Sequence, residues 1–280
     1  MTFSHALTDG ERQRHSSSFG TAAGAYAAHR PDYAPEAVRW ALAGAPGPRV
    51  LDLGAGTGKL TGTLLGLDDT LGNTLGATLG NPLDITAVEP DAAMLAELRR
   101  GLPSVRALQG SAESIPLPDG SVDAVVSGNA MHWFDMAVAG PEIARVLAPG
   151  GVLAGLWNVF DDATDWVAGL AEVTGPAAIG PRDVPAAWRI ETAELHLPRT
   201  GADSPFHAPE QAEFPHGHRR TAESLVATLG TKAGVLVMPE DERSELLARA
   251  RAHLAGHPAT AEGEFTLPLL TSVLRVRRRP

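Results

Sequence analysis

At 280 residues, 44% apolar and 20% charged, the chain has the composition of an ordinary globule and room for one large or two small domains. It has no cysteine, which excludes disulfide scaffolds, cysteine-ligated zinc, iron–sulfur clusters and thiol catalysis. Its net charge of −10 would repel phosphate backbones, so no nucleic-acid partner is expected.

Residues 1–18 are polar and are expected to form a flexible N-terminus without the apolar core of a secretory signal. No stretch reaches the roughly 18 apolar residues of a membrane span, so the expected compartment is the cytoplasm, with no membrane partner. Residues 20–30 and 35–44 read as helices, with Pro35 suited to a first turn. After the break at 44–49 the pattern predicts strands at 50–53, 84–89, 104–108, 122–127 and 151–157, with helical spacing at 91–100 and 140–147. Strands and helices in alternation indicate parallel βαβ units in an open α/β sheet.

The second half predicts helices at 161–174, 221–230 and 240–255. The stretch 264–278 is rich in strand formers and would close the sheet, with Pro268 marking an edge or a bulge. Residues 175–220 read as mostly irregular cover with one strand near 212–219. Residues 63–83 repeat Thr-Leu-Gly three times, and a helix there would carry a cost of about 1 kcal/mol for each glycine. A flexible insertion at 67–83 is expected.

The sharpest local signal is Asp52-Leu53-Gly54-Ala55-Gly56-Thr57-Gly58-Lys59, a strand running through alternating glycines into a helix. Glycines permit a tight turn and close approach of a ligand, and a helix N-terminus presents backbone N–H groups. A phosphate-binding P-loop needs glycine where Leu53 stands and Ser or Thr where Leu60 stands. The dinucleotide fingerprint needs its third glycine at Lys59. What remains is an acid followed by Gly-x-Gly-x-Gly. Asp52 would repel a pyrophosphate and suit a cation such as S-adenosylmethionine, with its sulfonium and ammonium groups. A plain tight β–α turn also accommodates these glycines.

Glu89 ends the strand Ile85-Thr86-Ala87-Val88, where an acid in nucleoside-binding folds accepts from both ribose hydroxyls. It lies 35 residues beyond Gly54, and 18 once the insertion at 67–83 is removed, close to the usual spacing of about 20.

At this point the chain resembles the class I S-adenosylmethionine-dependent methyltransferases of the methyltransferase type 11 group. The resemblance runs through Val50–Lys59, Ala87-Val88-Glu89-Pro90-Asp91 with Met94-Leu95, Gly110–Pro116, Ser121–Val126, Asn129–Phe134 and Glu142–Gly151. Tyr26-Ala27-Ala28-His29-Arg30-Pro31-Asp32-Tyr33 is similar to the opening of one subgroup, as is Leu267-Pro268…Thr271…Arg275 to its ending. The resemblance implies a Rossmann-like, doubly wound, seven-stranded sheet, mostly parallel with an antiparallel C-terminal strand, and helices on both faces. It implies a helical lid at 19–45 and a cofactor domain at 46–280 that carries a variable substrate cover at 160–240.

The resemblance further implies that Gly54, Ala55, Gly56, Thr57 and Gly58 hold the methionine part of S-adenosylmethionine beside Asp52, and that Glu89 holds the ribose. Pro90 and Met94 would wall the adenine, and Ser111, Ala112 and Glu113 would face its edge. Relatives often carry Asp at the place of Ser111, whose part a hydroxyl or backbone carbonyl would take here. Glu113 also reads as the start of a helix. Ser127 and Asn129 would border the amino-acid part. His132 and Trp133 would face the transferring methyl, with His132 as a candidate base or as a histidine that shapes the pocket. Tyr26, Arg30 and Tyr33 would line the substrate side. The reaction would deliver a methyl group to an O, N or C nucleophile of a small molecule and release S-adenosylhomocysteine. The rivals are a non-methylating reaction on the same fold, a nicotinamide oxidoreductase and an interaction protein that displays the Thr-Leu-Gly repeat. His196, His207, His216 and His218 lack flanking carboxylates, and no metal site is expected. The arginines at 275, 277, 278 and 279 read as a solvated tail, and a homodimer is the expected assembly if the chain associates.

Overall fold

The computed structural model describes residues 30–70, 82–180, 183–185, 197–198 and 204–280. Tyr26, all but the last residue of the helix expected over 20–30 and the repeat residues 71–81 lie outside them.

Strands β1 (Arg49–Leu53), β2 (Asp84–Glu89) and β4 (Val122–Gly128) are almost wholly buried, as parallel strands covered on both faces must be. With β3 (Arg106–Gln109), β5 (Leu147–Phe160), β6 (Glu210–Thr221) and β7 (Glu264–Arg277) they form a seven-stranded sheet ordered β3-β2-β1-β4-β5-β7-β6. β1 to β5 pair in parallel, and β7 runs antiparallel to both its neighbours. The expected sheet is therefore the observed one.

Helices α1 (Pro35–Leu42) and α2 (Lys59–Thr70) cover one face, through Val38, Leu42, Leu60, Leu64 and Leu67 against Val50, Ile85, Val126 and Leu156. α3 (Ala92–Gly101) packs Leu98 against Ala87 on the same face. Its Asp91 cap accepts the Ala93 and Met94 N–H groups, and Arg99 and Arg100 sit in its last turn, where the helix dipole favours cations. α4 (Met136–Val146) covers the opposite face, with Ile143 and Val146 against Leu51, Val125 and Leu153. In α4 the Arg145 guanidinium binds Glu142, Asp119 and the carbonyls of Ile115 and Leu117, and Glu142 accepts the Ile115 N–H. That network fastens the segment after β3 to α4 and holds the Glu142 carboxyl below its usual range.

β5, β7 and β6 overhang the shorter strands. On the overhang α5 (Asp165–Thr174), α6 (Ala222–Gly230), α7 (Ala233–Leu236) and α8 (Glu240–Gly256) bury Trp166, Leu225, Leu229 and Leu254 against Phe160, Phe265 and Leu267. The described part of the 160–240 cover thus combines helices with the strand β6, where a strand was expected near 212–219, and the helices have their own apolar core.

Three expectations change and one holds. The insertion expected at 67–83 begins too early, because α2 continues to Thr70 and Leu67 is buried in the core. Pro268 lies at a local edge, as expected: β7 is an inner strand over most of its length, but Pro268 falls one residue beyond its last rung with β5 and pairs only with Gly217 of β6. No helix starts at Glu113, which lies in a turn closed by the Ser111–Ser114 bridge. Arg275 is not a solvated tail residue. It is 5% exposed, its guanidinium lies 4.1 Å from the centre of the Trp40 ring, and it donates to the Trp40 and Ala43 carbonyls and to Glu210.

Candidate active site

The order β2-β1-β4 reverses the direction of winding between β1 and β4, and open α/β sheets bind ligands at the carboxyl ends of such strands. The two segments leaving this point are the glycine turn after β1 and residues 129–134 after β4. They touch: a Cβ on Gly54 would stand 2.8 Å from the Ala130 Cβ and 3.4 Å from the Phe134 ring. Gly54, Gly56 and Gly58 have φ of +70°, +59° and +89°, the left-handed region that only glycine enters cheaply. Gly54 and Ala55 donate to the Val88 carbonyl, so the turn is stitched to the end of β2.

Glu89 completes that stitching. Its carboxylate accepts the Gly56 N–H at 2.8 Å through one oxygen and the Asp91 N–H at 2.9 Å through the other. The side chain is 6% exposed, and burial raises its pKa above the ordinary carboxylate range, the two N–H groups opposing the shift. Asp52 lies on the same sheet face, next to β2, and is wholly buried. One of its oxygens accepts the Thr61 hydroxyl at 2.6 Å, and the other has no partner among the described residues. Desolvation pushes its pKa up to about 7, with a further contribution from the nearby Glu89 charge.

Fit to the expected cofactor is tested by what this site leaves unsatisfied. The second Asp52 oxygen, the Thr57 hydroxyl and the Ser127 hydroxyl are buried polar atoms without partners among the described residues. Buried polar groups normally have partners, so each asks for a donor or acceptor from elsewhere. Above Gly56 the nearest atom to an added Cβ is the Met94 sulfur at 3.8 Å, so the turn is open on that side and is bordered by an apolar residue. Two carboxylates, an open glycine turn and a thioether wall suit hydroxyl donors, a cation and a flat apolar group. These residues fit an adenosyl sulfonium.

Beyond the turn, Pro90 is exposed and its carbonyl accepts from Gln109. Ala112 is buried, and the Ser111 carbonyl accepts the Ser114 N–H. The Glu113 carboxylate accepts the Asp135 N–H at 3.0 Å and so ties this turn to the start of α4. Asn129 has φ +51° and donates its N–H to the Leu156 carbonyl, a left-handed position that Asn tolerates better than most residues.

His132 and Trp133 follow in a 3-10 turn, their rings 4.7 Å apart. The Trp157 indole N–H donates to His132 Nδ1 at 3.4 Å. Indole nitrogen only donates, so Nδ1 accepts and the neutral ring carries its proton on Nε2. In that form the imidazole has no lone pair to take a substrate proton unless the Trp157 bond breaks, which speaks against His132 as a base.

The chain before α1 crosses this end of the sheet as an extended strap, so the part of the expected helical lid at 30–34 is not helix. The Tyr33 ring lies against Gly128 at the end of β4, where a Cβ would meet its hydroxyl at 2.5 Å. The Ala34 N–H donates to the Thr271 hydroxyl, which donates to Asn158, whose amide donates to the Asp32 carbonyl. Lys59, the first residue of α2, pairs with Asp32 at 3.2 Å, and Arg30 donates to the Thr231 carbonyl after α6. The strap thus joins the glycine-loop helix to the helical cover. Asn158 and Trp157 were not singled out in the sequence, and Thr271 figured there only in the segment similar to one subgroup's ending. The only trace they leave is polar or bulky residues inside otherwise aliphatic strands.

Comparison with known proteins agrees with this architecture. Residues 51–155 match the methyltransferase domain family. An uncharacterised methyltransferase of Mycobacterium tuberculosis is 39% identical over 265 residues, spanning 94% of this chain and 97% of its own length. One from Schizosaccharomyces pombe is 30% identical over 234 residues, 82% of this chain and 84% of its own. A solved structure from Anaeromyxobacter dehalogenans, proposed to be a type II methyltransferase, superposes with a TM-score of 0.58 at 26% identity, covering 89% of this chain and 97% of that one. The fold, the glycine turn and near full-length identity to these relatives converge, and the chain belongs to the methyltransferase family with the class I fold.

Proposed function

We propose that the protein transfers a methyl group from S-adenosylmethionine to a nucleophile (O, N or C) of a small molecule, leaving S-adenosylhomocysteine. The observation that carries this reading is the buried pair of carboxylates around the glycine turn, Glu89 bridging Gly56 and Asp91 while one oxygen of Asp52 has no partner among the described residues. When bound, the cofactor supplies an activated methyl on a sulfonium. Asp52 in its ionised form would offset the cofactor's positive charge, and the remaining lone pairs of Glu89 would accept the ribose hydroxyls. Met94 would wall the adenine, and the turn at 111–113 would border its edge.

Displacement at a methyl carbon needs the nucleophile in line behind it, so the principal task of the chain is alignment, for which fixing both reactants supplies about 7–11 kcal/mol. Tyr33 against Gly128 and the 129–134 turn would form the walls on the acceptor side. The helical cover on the overhang would exclude water and set acceptor size. The negative net charge makes a nucleic-acid acceptor a poor electrostatic match. Among the described residues no helix is long and apolar enough to cross a membrane.

Incubation with methyl-labelled S-adenosylmethionine and separate pools of carboxylic acids, phenols, amines and activated carbon acids tests the proposal. Label is expected in one pool. Tight cofactor binding with a product formed but unlabelled would contradict methyl transfer.

A further inference from the structure

We propose that Thr271 and Asn158 are positioning residues for methyl transfer: together they grip the backbone on both sides of Tyr33 and hold its ring at the end of β4, where it aligns the acceptor. This rests on the methyltransferase reading and adds to it the residues that set the acceptor side.

An extended segment outside a sheet leaves its backbone N–H and C=O groups without ladder partners, and such groups need partners once buried. Tyr33 and Ala34 are 4% and 1% exposed. Beneath them β5 and β7 already pair with each other, Asn158 opposite Thr271, so side chains serve the strap instead. The hydroxyl of the wholly buried Thr271 accepts the Ala34 N–H at 3.1 Å and donates to Asn158 Oδ1 at 2.7 Å. Asn158 Nδ2 donates to the Asp32 carbonyl at 2.9 Å. From α2, the Thr63 hydroxyl accepts the Tyr33 N–H at 3.4 Å. The peptide before Tyr33 is thus held at its oxygen and its nitrogen, and the peptide after it at its nitrogen.

Backbone dihedrals decide which rotamers a side chain can take, so fixing both peptides fixes the direction of the Tyr33 ring. That ring fills the place of a side chain at Gly128, the last residue of β4. A Cβ on Gly128 would stand 2.5 Å from the Tyr33 hydroxyl oxygen and 2.8 Å from the ring carbon that bears it. Two residues on, Ala130 borders Gly54 of the cofactor turn. Tyr33 therefore stands at the rim of that turn, on a mount made by segments 237 residues apart. In-line displacement at a methyl carbon is sensitive to the placement of both reactants, and an error of about 1 Å can cost about a hundredfold. Loss of either gripping side chain frees Tyr33 to turn and leaves the acceptor without a fixed wall, while the contacts of Asp52 and Glu89 with the cofactor turn stay in place.

The chain has two tyrosines, so full-length Tyr26→Phe carrying 3-fluorotyrosine reports Tyr33 alone. Its fluorine signal should be narrow and displaced from that of free fluorotyrosine. In Thr271→Val and in Asn158→Ala it should broaden or move toward the free value, and Thr271→Ser should restore it. With the labelled-methyl assay and the pool that takes label, kcat/KM for the acceptor should fall about fivefold in both variants, as expected for one lost hydrogen bond. Calorimetric affinity for S-adenosylhomocysteine should be unchanged. In a Tyr33→Ala background Thr271→Val should cost no further activity, because residues that act through one another are not additive. Where Thr271→Val fails to fold, Asn158→Ala, at a partly exposed side chain, carries the same comparison. An unmoved fluorine signal, an acceptor kcat/KM at the parent's value, an equal loss of S-adenosylhomocysteine affinity, or full additivity with Tyr33→Ala would each overturn the proposal. A folded parent that binds no S-adenosylhomocysteine would instead refute the methyltransferase reading, and the fluorine signal would still decide whether the two residues hold Tyr33.

Discussion

Glu89 accepts the N–H of Gly56 across the gap between β2 and the glycine turn, so the carboxylate assigned to the sugar also sets the shape of the turn. Glu89→Gln removes one of two acceptors and places an amide NH2 against a backbone donor, Gly56 or Asp91. Affinity for S-adenosylhomocysteine should fall by about tenfold or more, as expected for a charged hydrogen bond, with some loss of melting temperature. Calorimetric titration measures it, and unchanged affinity would separate Glu89 from the ligand.

Asp52 makes the apo protein sensitive to pH. Its folded pKa of about 7 lies above the ordinary value of 3.8, so its contribution to stability is complete below the ordinary value and is lost as pH rises through about 7. Asp52→Asn keeps an acceptor for Thr61 and has no charge to desolvate. The melting temperature of Asp52→Asn should therefore gain on that of the parent between pH 4 and pH 8. Binding a cation should favour the ionised carboxylate, so S-adenosylmethionine should release protons from the parent near pH 7 and release fewer from the variant. Titrations in buffers of different ionisation heat detect this, and a gap in melting temperature that shrinks with pH would contradict the account.

Gly56→Ala separates the ligand from the fold. Among the described residues, its chain neighbours apart, no atom lies closer than 3.8 Å to the new methyl, so the cost to stability is the left-handed backbone, about 1–2 kcal/mol. The cofactor, approaching the open side of the turn, should lose affinity well beyond what that instability explains. Binding that falls no more than stability would mean that the ligand does not approach Gly56.

Arg275→Ala should destabilise by about 2–3 kcal/mol in denaturant titrations, because the Trp40 and Ala43 carbonyls lose a charged donor and the Trp40 ring its cation. Arg275→Lys should recover little, since a point charge cannot serve both carbonyls and stack on the ring. Full recovery with Lys would assign Arg275 to charge alone.

The sheet was legible because βαβ alternation and the glycine turn are local patterns: β1, β2, β4 and α3 fall within about two residues of their expected places. Glu89 was singled out by its spacing from the glycine turn, once the repeat segment at 67–83 was discounted. What escaped depends on contacts distant in sequence. Arg275 reads as one of a run of tail arginines until β7 places it under Trp40, 235 residues earlier. Trp157 and Gly155 look like an ordinary apolar strand, and only the folded structure shows the Trp157 ring in the place of a Gly155 side chain.

The most direct measurement is calorimetric titration of the purified full chain with S-adenosylmethionine and, in parallel, with NAD. The account predicts saturable one-to-one binding of the sulfonium ligand, abolished or strongly weakened in Glu89→Gln, and no heat with NAD. Saturable binding of NAD, or no heat with either adenosyl donor or its product in a folded protein, would contradict it.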